Sequence, residues 1–89
     1  INWVLQVEGH TDNTPIKPGK YSDNWDLSTE RALSVVRFLI NQGISPSRLS
    51  ATGYGEHQPI SIIDSDLTQE EINSKNRRIE LKITQRIVN

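Results

Sequence analysis

The residues best equipped for chemistry stand at the end of an alternating run near the start of the chain: His10, Thr11 and Asp12 in the stretch VEGHTDNTP. The second outstanding group is Arg31. It lies one turn after Leu27 and one turn before Val35, which sets a guanidinium on or beside an apolar helical stripe. One reading is a snorkelling side chain that buries its stem and keeps its head in water. Another joins it to Asp12. A helix that already includes Asn24 carries Asn24 two turns before Arg31 on one face, and the loop from Asp12 leads into that helix end. Asp12, Asn24 and Arg31 then meet at one edge of a sheet. Two opposite charges so placed either close on each other as an internal salt bridge, whose net value desolvation keeps small, or stay apart and take the two halves of a zwitterion. In the second arrangement Asp12 accepts from an ammonium and Arg31 grips a carboxylate through two parallel bonds.

Other chemistries are poorly supported. His10 and Asp12 resemble metal ligands, but a zinc site needs three or four, and His57, the only other histidine, sits in a turn of its own. No metal and no cofactor are expected. Ser28 and Ser50 lack a nucleophile-elbow context, and a chain without cysteine has no thiol route, so no enzyme is expected. A formal net charge of −1 argues against nucleic acid as a partner. The local basic run KNRRIELK has few aromatics beside it and reads as a solvated strand edge. Within it, Glu80 and Lys82 alternate outward, whereas Arg77 has the opposite parity, precedes the strand, and is placed to point back towards the site.

The positioning elements follow from periodicity. Trp3, Leu5 and Val7 alternate with Gln6 and Glu8, a strand with one buried face. Residues 13–24 carry Pro15, Pro18 and Gly19 and form a long loop. Leu27, Ala32, Val35, Val36, Leu39 and Ile40 make a helical stripe that Gly43 ends, with Asn24, Asp26 and Ser28 as candidate caps. Residues 49–54 read as a short strand closing in a glycine turn. A short helix follows, with Asp66 or Thr68 near its cap. A last strand places Ile79, Leu81 and Ile83 on one face. The order strand, helix, strand, short helix, strand predicts an α+β (two-layer α/β) fold, a mixed sheet with helices packed on one face.

Eighty-nine residues allow one small domain with a modest core. The absence of cysteine leaves cytosol and periplasm equally open. No apolar run is long enough to cross a bilayer. The chain starts inside an apolar pattern, INWVLQV, without an initiator Met, and reads as a fragment of a longer protein.

Four segments in this order, VEGHTDNTP, NWDLSTERALSVVRFL, GISPSRLSATGYGEHQPI and NRRIELKI, resemble the OmpA-like peptidoglycan-binding family. The long NTPIKPGKYSDNW loop is most similar to the branch typified by the C-terminal periplasmic domain of the flagellar stator subunit MotB. The resemblance implies a noncatalytic domain in the periplasm. It binds the diaminopimelate of the peptidoglycan stem and anchors a membrane protein to the wall, the membrane attachment lying upstream. That membrane is the inner one for a MotB-like parent and the outer one for an OmpA or Pal-like parent. The resemblance also implies a homodimer. It places the ligand-binding aspartate on Asp12, the arginine on Arg31, the helix-start asparagine on Asn24 and a further stem contact on Arg77. Leu27 and Ser28 shape the pocket floor, Thr11 lines it, and His10 fixes the turn by a hydrogen bond. The family's first strand and helix, which precede the VEGHTD strand, are expected to be missing from residues 1–89. Two other readings remain: an interaction module in which Asp12 and Arg31 form a closed ion pair, and an enzyme acting on wall peptides.

Overall fold

The computed structural model describes residues 2–61 and 66–86. It contains strand β1 (Asn2–His10), helix α1 (Asn24–Asn41), a 3-10 turn (Pro46–Arg48), strand β2 (Leu49–Gly53), helix α2 (Gln69–Asn76) and strand β3 (Arg78–Arg86). The sheet order is β2-β1-β3, with β1 parallel to β2 and antiparallel to β3. A parallel neighbour requires a crossover, and α1 supplies it. The expected mixed sheet with helices is therefore present.

β1 separates two environments. Leu5 and Val7 face α1, opposite Leu49 and Ala51 of β2. Val7, Ala32 and Val36 form the buried core, flanked by Val35, Leu39 and Ile40. Gly9 and Gly53 let the helix settle close: a Cβ on Gly9 would collide with the Ser28 carbonyl oxygen, and one on Gly53 with the Thr29 side chain. Neither strand position has room for any other residue without moving α1. Leu81 and Ile83 pair with Val7 and Leu5 and so share the α1 side. The helix lies over β1 and β2, and leaves Leu81 and Ile83 55% and 73% exposed. The opposite face carries Gln6, Glu8, His10, Arg78, Glu80 and Lys82.

The helix ends correct one expectation. The α1 cap is Asp23, not Asn24, Asp26 or Ser28. Its extended backbone lets the carboxylate accept from the Asp26 amide at 2.8 Å. Asn24 is inside the helix and its side chain is used elsewhere. The helix stops at Asn41, just before Gly43 at φ 103°. Thr68 caps α2 in a reciprocal capping box with Glu71. The sequence places Asp66 near this cap as an alternative, but Thr68 holds the position. No helix among the described residues is long and apolar enough to cross a membrane.

Candidate functional site

The chain leaves β1 at His10 and turns at once. Thr11 donates its amide to the Gly55 carbonyl at 2.9 Å and its hydroxyl to the Asp12 carbonyl at 2.8 Å. Gly55, at φ 62°, in turn donates its amide to Ser28 Oγ at 2.9 Å. Ser28 is fully buried, so one hydroxyl locks α1, the turn after β2 and the turn after β1 together. Asn24 completes the frame. Its Nδ2 donates to the Thr14 carbonyl at 3.1 Å and reaches the Asp12 carbonyl at 3.5 Å.

This frame aims the Asp12 side chain. Oδ1 accepts from the Thr14 amide at 2.9 Å, and Oδ2 from Arg77 Nη1 at 2.7 Å. Arg77 is the residue after α2, and its Nη2 also donates to Glu70 at 2.7 Å. Burial alone would raise the Asp12 carboxyl. The Thr14 amide and the Arg77 guanidinium outweigh it and hold the group below the usual carboxylate range. Hydrogen bonds to Glu70 and then to Asp12 raise the Arg77 guanidinium further.

Asp12 lies on the wall of a cavity of about 410 Å³. Thr11, Asp12 and Asn13 form one side, Glu56, Pro59 and Ile60 the second, and Gln69, Ile72, Asn73 and Asn76 of α2 the third. Asn76 Oδ1 accepts from the Ile60 amide at 2.8 Å and ties the last two together. The lining offers two carboxylates, several side-chain amides and a small apolar surface. It suits a peptide carrying an ammonium.

The sequence-predicted residues divide into groups. Thr11 and Asp12 line the cavity, and Arg77 joins it through Asp12. Asn24 and Ser28 support the turn from behind, and Leu27 is half-buried on α1. Arg31 is exposed on α1. Among the described residues it has no hydrogen bond or ion pair with Asp12, whose cation is Arg77. The closed Asp12–Arg31 pair that an interaction module would need is therefore not formed, and a cavity lies beside Asp12.

His10 departs from expectation. Neither ring nitrogen has a hydrogen-bond partner among the described residues, and the turn is held by Thr11, Gly55 and Asn24 instead. The ring is stacked on Tyr54 at 5.1 Å on the far face of the sheet. Sequence reasoning missed Gly55, Glu56 and the α2 amides. The glycine turn in GYGEH was a visible signal for the first. Nothing in the sequence aims α2 at Asp12.

Residues 2–77 match the OmpA family. The chain belongs to the OmpA family. It is 43% identical over 81 residues to motility protein B of Bacillus subtilis, covering 90% of this chain and 30% of that protein. It is 37% identical over 76 residues to a peptidoglycan-associated lipoprotein of Pseudomonas aeruginosa, covering 85% and 40%. Among solved structures, the periplasmic domain of Helicobacter pylori MotB superposes with a TM-score of 0.77 at 33% identity. That match spans 92% of this chain and 48% of that domain. The chain thus spans under half of each of these relatives.

Proposed function

We propose that this OmpA-family chain binds peptidoglycan without catalysis and anchors a membrane protein to the cell wall in the periplasm. The observation that carries the reading is Asp12: a buried carboxylate, positioned by the Thr14 amide, on the wall of an amide-rich cavity. The fitting ligand group is the free end of diaminopimelate in the peptide stem, which carries one ammonium and one carboxylate.

An arriving ammonium takes the place of Arg77 Nη1 at Asp12 Oδ2. Arg77 has Glu70 to remain paired with, so its release from Asp12 does not strand a charge. The ligand carboxylate goes to Arg31, whose guanidinium is exposed and uncommitted among the described residues, with Arg77 as a further contact. Asn24 and Ser28 hold the frame, and Thr11 lines the site. The relatives named as motility protein B and peptidoglycan-associated lipoprotein support the wall as the target. Homodimerisation belongs to the same reading, because two linked weak sites on one polymer hold far better than one.

Calorimetric titration with a soluble stem peptide tests the ligand group. A peptide containing diaminopimelate is expected to bind at least tenfold more tightly than the same peptide with lysine in that position, which keeps the ammonium and lacks the carboxylate. Equal affinities contradict the zwitterion reading.

A further inference from the structure

The polar face of the sheet holds a second cluster, separate from the Asp12 cavity. The β1–β3 register sets Glu8 directly opposite Glu80. Two carboxylates in that relation repel unless a cation lies between them. His10 sits beside them. Its Nε2 is 3.6 Å from Glu8 Oε1 and 3.5 Å from Glu80 Oε2. Glu8 and His10 are each only 3% exposed. Both ring nitrogens of this buried imidazole lack a hydrogen-bond partner among the described residues, a costly state for polar atoms away from water.

We propose that Glu8, His10 and Glu80 form a divalent-cation site, with zinc the favoured ion. Their donor atoms all lie within 4.8 Å of one another. A tetrahedral zinc with ligands at its usual bond lengths spaces them by roughly 3.4 Å, close to the two His10 separations. One imidazole nitrogen with two carboxylate oxygens is a zinc donor set, and a water completes the four. The stacked Tyr54 ring fixes the imidazole plane, and Gln6 Nε2 and Tyr54 Oη hold the outer oxygen of Glu8 at 3.0 and 3.4 Å. These are the outer contacts that orient metal ligands.

Two cations face the same cluster. Arg78 Nε donates to Glu80 Oε2 at 2.8 Å and can keep one lone pair while the ion takes the other. Lys82 Nζ lies 3.3 Å from Glu8 Oε1 and is more than half exposed, so it is the group an entering ion displaces. The sequence offered His10 with Asp12. Strand alternation sends Asp12 past the strand end, and the cross-strand register supplies Glu80 in its place.

The test is calorimetric titration of the chain with zinc chloride near neutral pH, with folding followed by circular dichroism. The expected result is one ion per chain. Affinity is expected to fall tenfold or more in Glu80→Gln and in His10→Gln, to rise in Lys82→Ala, and to be unchanged in His57→Gln. Glu80 is partly exposed, so its variant reads the site even if the His10 variant unfolds. No binding by the folded wild type overturns the proposal. So does binding that survives Glu80→Gln undiminished, or binding that depends on His57.

Discussion

Asp12 and Arg77 are 65 residues apart in the chain and 2.7 Å apart in the fold. The pair joins the turn after β1 to the end of α2, two of the three walls of the cavity. Replacing Arg77 by Ala removes the cation and leaves Asp12 with the hydrogen bonds from Thr14. The Asp12 carboxyl is expected to titrate higher in Arg77→Ala than in the wild type, as read by NMR of the side-chain carbon. An unchanged titration would mean that the pair does not persist in solution.

The same shift sets an acid limit. Asp12 titrates lower in the folded chain than in the unfolded one, so its contribution to stability is complete above the unfolded value of about 4. That contribution is lost as pH falls through the depressed folded value. Urea denaturation at stepped pH below about 5 is expected to show a smaller acid loss in Asp12→Asn than in the wild type. Parallel curves contradict this.

Ser28 Oγ accepts from the buried Gly55 amide at 2.9 Å. Ser28→Ala leaves that buried amide unsatisfied and is expected to cost about 1–3 kcal/mol. Because Gly55 holds Thr11, peptidoglycan binding should weaken as well. Denaturation midpoints and wall sedimentation of the same sample check both halves.

Gly9 allows α1 to lie against β1. Gly9→Ala forces the Ser28 carbonyl away and is expected to destabilise the fold by about 1–3 kcal/mol or more, measured by urea melts. A loss below about 0.5 kcal/mol would show that the helix shifts freely.

The period-2 runs and the α1 stripe were legible because alternation and helical spacing are local. The α2 cap was legible only to within Asp66 or Thr68, and the reciprocal bonds between Thr68 and Glu71 decide it. The α1 cap was not, since Asn24 and Asp23 are both good caps and only the extended backbone at Asp23 decides between them. Alternation correctly put Glu8 away from α1. It does not reveal that Tyr54 and Lys82 cover that face, so the burial of Glu8 was invisible. Asp12 stood out as the site's carboxylate, and strand parity turned Arg77 towards the site. Their direct pairing was not legible, because helical spacing offered Arg31 as the cation and only the packing of α2 brings Arg77 onto Asp12.

The central claim is that Asp12 holds the wall ligand. Sedimentation of the folded chain with insoluble purified peptidoglycan tests it most directly, with Asp12→Asn and Arg31→Ala run alongside. A desolvated charge-assisted bond is worth roughly 1.5–3 kcal/mol, about tenfold to a hundredfold in affinity. The wild type should therefore sediment with the wall while both variants stay largely in solution. Equal sedimentation of all three would place the wall-binding surface elsewhere on the chain.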